Sequence, residues 1–313
     1  MPTERIVIAE FMDESAVRQL SIEFDTLYQP DLCERREELA ALLADADALI
    51  VRNRTQVNAG LLDRQTRLQA VGRLGVGLEN IDLVHCRGLG IEVIPAVGAN
   101  AGAVAEYVVC TAMMMLRGDA YLSSREVARG AWPRARLVNG REIAGKTLGI
   151  VGLGSVGRAT AALARAVGMR VCAHDPALDG KHEAWRDVAR HADLDALLRA
   201  SDAVSVHVPL LDATRGLIDA RRLALMPRHA VLVNVARGGV VDEAALADAL
   251  REGTIAGAAV DVFEDEPLPA NSVFEGVPNL VLTPHIAGVT AESNTRVSFA
   301  IADAIAQRLR ANR

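Results

Sequence analysis

The stretch that most constrains this chain is TLGIVGLGSVGRATAALARAVG, residues 147–168. Its start reads as a strand and its end as a helix. The join between them is Gly152-Leu153-Gly154-Ser155-Val156-Gly157. A strand that passes into a helix through GxGxxG is the first βα turn of a dinucleotide-binding sheet. Gly152 permits the tight turn, Gly154 lets a pyrophosphate approach the backbone, and Gly157 lets helix and strand pack closely. The helix start offers free N–H groups and a positive dipole end to the phosphates. The next apolar run, VCAHD, ends on Asp175, 18 residues past Gly157. A carboxylate there accepts hydrogen bonds from ribose hydroxyls and repels a 2′-phosphate. Pro176, Ala177 and Leu178 follow, with no arginine to bind such a phosphate. NAD is the expected cofactor.

The alternation of strand and helix extends in both directions. RIVIA (5–9), ALIV (48–51), LQAVGRLG (68–75) and IEVIPAV (91–97) read as strands or strand ends before the motif. AVSVHVPL (203–210), AVLVNVA (230–236), IAGAAVDVF (255–263) and NLVLTPHI (279–286) read as strands after it. Helices are expected at 31–44, 59–66, 101–117, 193–200, 242–251 and 292–310. This order implies parallel sheets with helices on both faces. With 313 residues there is room for two such domains, each with its own core. The fold class is therefore α/β, with two doubly wound parallel sheets.

The formal net charge is −6 and no lysine- or arginine-rich block occurs, so neither nucleic acid nor an anionic membrane is an expected partner. No apolar run reaches the ~18 residues of a membrane span. MPTERIVIAEF lacks a signal peptide's cationic start and long apolar core. Cys33, Cys86, Cys110 and Cys172 form neither a CxxC pair nor a cluster with histidine. Free thiols in a reducing cytoplasm, and no metal, are the expectation.

Three polar groups fall where later strands of the nucleotide-binding unit should end. They are Arg237 after AVLVNVA, Glu266 after DVFED, and His285 in LVLTPHIAG. Ligands of open α/β sheets bind outside the carboxyl ends of the strands. Beside a dinucleotide these groups suit hydride transfer to a 2-keto acid. Arginine offers a planar fork to the substrate carboxylate. Histidine can donate a proton to the carbonyl oxygen as charge develops there, and a glutamate bonded to it would favour the protonated ring.

Taken together, GRLGVGLENID (72–82), VGLGSVGR (151–158), HVPL (207–210), NVARGGVVDEAAL (234–246), DVFEDEP (261–267) and TPHIAG (283–288) resemble the D-isomer-specific 2-hydroxyacid dehydrogenases, a family that includes phosphoglycerate dehydrogenase. The resemblance covers essentially the whole chain. It implies a catalytic Arg237, Glu266 and His285. It implies cofactor contacts from Gly152, Gly154, Ser155, Val156, Gly157, Asp175, His207, Pro209, Thr214, Val235, Ala236, Asp261, His285 and Gly288. It implies substrate contacts from Arg52, Arg54, Val76, Gly77, Asn100, Arg237 and His285. It also implies a flavodoxin-like substrate domain from residues 1–98 and 287–313, a Rossmann NAD-binding domain from 99–286, closure of the cleft between them, and a homodimer through the long helix and the segment after it. Glu79 stands where the family usually has aspartate, a one-methylene departure. Some relatives in the superfamily are NAD(H)-sensing corepressors, so a non-enzymatic role is the alternative class.

The phosphoglycerate enzymes of this family carry an RxRT element facing the substrate phosphate. VRNRT matches it at Arg52, Arg54 and Thr55, and Arg73 adds a third cation. Read as a strand end, VRNRT directs Arg52 and Arg54 to one side. One arginine serves one carboxylate, so the surplus charge points to a substrate with a second anionic group: a phosphate, a sulfonate or another carboxylate.

Overall fold

The computed structural model describes residues 4–63 and 67–311. Along the chain the elements are β1 (Arg5–Ile8), α1 (Glu14–Ser21), β2 (Asp25–Tyr28), α2 (Arg36–Leu43), β3 (Ala48–Val51), α3 (Ala59–Leu62), β4 (Ala70–Arg73), α4 (Leu83–Gly88) and β5 (Glu92–Pro95). There follow α5 (Ala101–Leu116), α6 (Ser124–Ala128), β6 (Thr147–Val151), α7 (Ser155–Ala166), β7 (Arg170–His174), β8 (Ala189–Arg190), α8 (Leu194–Ala200) and β9 (Ala203–Val206). The last are α9 (Ala220–Leu223), β10 (Val231–Asn234), α10 (Glu243–Arg251), β11 (Gly257–Val260), β12 (Leu280–Leu282) and α11 (Ala291–Arg310).

The chain divides into two compact units, Met1–Asn100 with Val289–Arg313, and Ala101–Gly288. The first holds a parallel five-stranded sheet in the order β2-β1-β3-β4-β5. That is the flavodoxin-like order, whose topological switch point lies between β1 and β3. Strand parity explains its two-sided core. Ile6, Ile8, Ala48 and Ile50 face one apolar cluster with Val297, Ile301 and Ile305 of α11. Val7, Leu49 and Val51 face the other, with Leu39, Leu43, Leu61 and Leu62 of α2 and α3. A sheet covered on both faces needs apolar residues at every position, and β3 is buried throughout. The helix α11 opens with a capping box between Thr290 and Ser293.

The second unit holds a parallel seven-stranded sheet, β12-β11-β10-β9-β6-β7-β8. Counted from β6, the strand order is 3-2-1-4-5-6 with one more at the edge, the Rossmann arrangement, and its switch point lies between β6 and β9. Val109, Ala112 and Leu116 of α5 share a core with Ala161 and Ala164 of α7, small residues that let the helices approach. Among the described residues no helix is long and apolar enough to cross a membrane. No group of three or more His, Cys, Asp or Glu among them could hold a metal ion.

Several elements differ from the sequence expectation. The helix expected over 31–44 is broken, because Arg35 adopts a non-helical φ of −118° and ψ of 63°. The Arg35 guanidinium spans Gln29, Asp31 and Glu38 at that break. Of the helix expected over 59–66, residues 64–66 lie outside the described residues. The strands expected to run to Leu210, Ala236, Phe263 and Ile286 stop at Val206, Asn234, Val260 and Leu282. The residues beyond those ends are the loops that carry the polar groups. Likewise β3 stops at Val51, so Arg52, Asn53, Arg54 and Thr55 of VRNRT lie in a loop beyond the strand.

Candidate active site

The turn after β6 fits a dinucleotide. Gly152 has φ of +95°, and a Cβ on Gly157 would lie 2.2 Å from the Gly152 carbonyl oxygen, so only glycine lets α7 start this close. Nothing lies within 4 Å of the side that Gly154 leaves open. Gly154 caps α7 without a side-chain hydrogen bond, so the first amides, at Ser155 and Val156, remain available to an anion. The Asp175 carboxylate follows β7, held by Leu153 N (2.8 Å) and Ala177 N (2.9 Å). Each of its oxygens keeps a lone pair for ribose hydroxyls.

Other expected cofactor residues have structural duties. His207 Nε2 lies 2.8 Å from Ser205 Oγ, while its Nδ1 is enclosed without a partner. Burial lowers the His207 pKa to about 3, so this ring is neutral at working pH. The Thr214 hydroxyl donates to the Pro209 carbonyl (2.6 Å) and accepts from Leu211 N (2.8 Å), closing its own turn. Val235 and Ala236 occupy the loop after β10, and Gly288 ends the segment that follows His285.

His285 and Glu266 meet directly, with Nδ1 2.8 Å from Glu266 Oε2. Glu266 Oε1 also accepts from Phe263 N (3.1 Å). His285 sits at φ +55°, an uncommon region for a side-chain-bearing residue. Asp261 holds it there. The His285 amide donates to the Asp261 carbonyl (2.8 Å). The Asp261 carboxylate, 1% exposed, accepts from Thr283 Oγ1 (2.6 Å), Ile286 N (2.8 Å) and Ala287 N (2.9 Å). Asp261 is thus a brace for the histidine turn, and its Oδ2, which accepts only from Ala287 N, keeps a lone pair. Tyr107 of α5 extends the network, its hydroxyl 2.7 Å from Thr283 Oγ1. Sequence reasoning missed Tyr107, which lies in an apolar helix with no local signal. Arg237 lies beyond the neighbouring strand β10, with Nη1 2.6 Å from the Ala236 carbonyl. A Cβ on Gly238 would lie 1.9 Å from the Phe263 carbonyl oxygen, so glycine lets these two loops pass.

In the first unit one buried carboxylate organises the loop after β3. Glu10, 3% exposed, follows β1 and accepts from the amides of Arg52 (2.9 Å), Asn53 (3.2 Å), Arg54 (3.1 Å) and Thr55 (2.9 Å). Burial pushes its pKa up, but these amides outweigh it and hold the carboxyl below the usual glutamate range. Asn80 donates to the carbonyls of Thr55 (2.8 Å) and Arg52 (3.4 Å), tying in the loop that carries Val76 and Gly77. Arg73, at the end of β4, donates to the Leu74 carbonyl (3.4 Å). Asn100 Oδ1 is enclosed without a partner. Sequence reasoning missed Glu10 and Asn80. Their signal was position: Glu10 falls two residues past β1, beside β3 at the switch point.

The two arginines do not share a face. Because the chain turns onto Glu10 after Val51, strand parity carries Arg52 only toward α11. There Nη2 donates to Asn294 Oδ1 (2.7 Å) and the guanidinium lies 5.8 Å from the Phe11 ring centroid. Burial lowers the Arg52 pKa, with the nearby Glu10 charge opposing. Arg54 instead pairs with Glu34 (2.6 Å), both side chains about 60% exposed.

Comparison with known proteins agrees with this geometry. Residues 110–287 match the model of the D-isomer specific 2-hydroxyacid dehydrogenase, NAD binding domain. The chain belongs to the D-isomer specific 2-hydroxyacid dehydrogenases, NAD-dependent oxidoreductases. It is 50% identical to the (S)-sulfolactate dehydrogenase of Chromohalobacter salexigens, over 97% of this chain and 98% of that one. It is 36% identical to the D-3-phosphoglycerate dehydrogenase of Methanocaldococcus jannaschii over 88% of this chain, but spans only 52% of that protein's length. Among solved structures it resembles a D-isomer specific 2-hydroxyacid dehydrogenase, NAD-binding, from Polaromonas sp. JS6 66, with TM-score 0.85 and 27% identity over 99% of this chain and 98% of the other.

Proposed function

We propose that this enzyme is an (S)-sulfolactate dehydrogenase, interconverting the CH–OH group of (S)-sulfolactate with the carbonyl of sulfopyruvate. Arg52 carries the reading. It is a half-buried cation at the switch point of the first unit, and its side-chain partner is neutral. Such a cation suits a substrate with an anionic group besides its carboxylate. The 50% identity to a (S)-sulfolactate dehydrogenase supports sulfonate as that group. The stereochemistry also agrees. The sulfomethyl group outranks carboxylate in naming, so the S form has the spatial arrangement of a D-hydroxy acid.

When bound, the nicotinamide cofactor carries the hydride. Arg237 binds the substrate carboxylate through its planar fork. Glu266 engages Nδ1 of His285, which leaves Nε2 to donate a proton to the carbonyl oxygen during reduction. In oxidation Nε2 accepts the alcohol proton. The amides near Val76 and Gly77 and the side chain of Asn100 are the further substrate contacts of this reading. Arg54 contributes less, since Glu34 competes for it.

The reading extends to a cytoplasmic homodimer. Its support is the exposed apolar Tyr121, Val127, Trp132 and Val138 on the segment after α5. That segment lines a cavity of about 400 Å³ together with Met114, Met115 and Arg141. The activity is tested by NADH oxidation with sulfopyruvate, phosphohydroxypyruvate and pyruvate. Sulfopyruvate is expected to have the highest kcat/KM. Preference for phosphohydroxypyruvate would make the enzyme a phosphoglycerate dehydrogenase. Equal use of pyruvate would end the second-anion reading.

A further inference from the structure

Four segments far apart in sequence, EFMDE (10–14), VRNRT (51–55), GRLGVGLEN (72–80) and GVTAESN (288–294), converge on Arg52. Glu10 and Phe11 come from the first, Asn80 from the third and Asn294 from the fourth. Within this cluster the carboxylate whose charge acts on Arg52 is Glu10, and both of its oxygens are taken by the four loop amides. The group that orients the guanidinium is therefore an uncharged amide. A guanidinium has no acceptor, so the Asn294 atom facing it is Oδ1. Arg54, two residues on, shows the other outcome, because Glu34 neutralises it.

Asn294 is also out of place by local rules. It lies in the first turns of α11, past the Thr290 cap, where asparagine is a poor helix former. Thr290 and Ser293 already satisfy the cap. The Asn294 side chain thus has no capping duty to explain it, and its recorded side-chain bond is to Arg52.

We propose that Asn294 is a specificity-determining positioning residue: its amide oxygen fixes the Arg52 guanidinium without neutralising it, and so reserves the charge for a sulfonate, phosphate or carboxylate on the substrate's third carbon. The proposal rests on the reading of Arg52 as an anion binder. An aspartate at this position would keep the shape and the acceptor but would itself take up the charge.

The test is Asn294→Asp in the full-length enzyme, with kcat/KM measured for sulfopyruvate and for pyruvate. A carboxylate near the N-terminus of α11 is favoured by the helix dipole, so the variant is expected to fold, and thermal unfolding checks this. The sulfopyruvate-to-pyruvate ratio is expected to fall about 10–100-fold, through KM for sulfopyruvate rather than kcat. Asn294→Ala, which loses orientation but adds no charge, is expected to lower the ratio only about 3–10-fold. In an Arg52→Ala background Asn294→Asp is expected to leave the ratio where Arg52→Ala put it. An unchanged ratio in Asn294→Asp, or equal loss with both substrates, overturns the proposal while leaving the Arg52 reading intact. A wild-type enzyme without preference for sulfopyruvate overturns the Arg52 reading, and this proposal with it.

Discussion

The turn that presents His285 and the loop that presents Arg52 use the same device. In each, a buried carboxylate just past a strand collects backbone amides and fixes a short irregular segment. Asp261 does this in the second unit and Glu10 in the first. They differ in how the presented side chain is held. His285 faces a carboxylate, Glu266, at 2.8 Å, whereas Arg52 faces the neutral amide of Asn294 at 2.7 Å. A group that must carry a proton gains from a charged partner that fixes its tautomer. A group that must bind an anion is disabled by one. On the proposed function, the contrast separates the residue assigned to the reaction from the residue assigned to substrate selection.

The largest expected effect breaks the first half of the contrast. His285→Ala is expected to lower kcat by about 10²–10⁴-fold while NADH binding, followed by fluorescence, persists. Arg52→Ala breaks the second half. It is expected to raise KM for sulfopyruvate by about 10–100-fold, the loss of one charge-assisted hydrogen bond worth roughly 1.5–3 kcal/mol. Glu266→Gln keeps an acceptor but removes the charge, and should lower kcat roughly 10-fold.

Glu10 tests the shared device through stability. Glu10→Ala strands buried amides and should cost about 2–4 kcal/mol in urea unfolding. Its folded-state pKa is depressed, so its contribution is present above the ordinary value of 4.5 and lost as pH falls through the lower folded value. Glu10→Gln should accordingly lose part of the acid-side slope of stability. The smallest effect is that of Arg54→Ala, less than about threefold in KM, because an exposed ion pair is worth ~0–1 kcal/mol.

Much of this was legible in the sequence. GxGxxG between a strand and a helix, with Asp175 after the next strand, is local pattern, and the structure gives it the expected geometry. Arg237, Glu266 and His285 could be placed at one sheet edge because strand ends announce themselves by a loss of apolar residues. Strands β2 and β8 were not legible. Both are short, with polar or exposed positions, and are set by pairing with a neighbour rather than by periodicity. The fate of VRNRT was not legible either. Its parity argument assumed a strand, and the strand ends because Glu10, more than forty positions earlier, captures four successive amides. The difference between Arg52 and Arg54 is thus a tertiary fact, decided by Glu10, Asn294 and Glu34.

The central claim is that Arg52, whose side-chain hydrogen-bond partner is the neutral Asn294, reads the substrate's second anion. It is tested most directly by the ratio of kcat/KM for sulfopyruvate to that for pyruvate in the wild type, Arg52→Ala and Arg54→Ala. The account predicts a large ratio in the wild type, collapse by about 10–100-fold in Arg52→Ala, and near-retention in Arg54→Ala. Collapse in Arg54→Ala with retention in Arg52→Ala would contradict it.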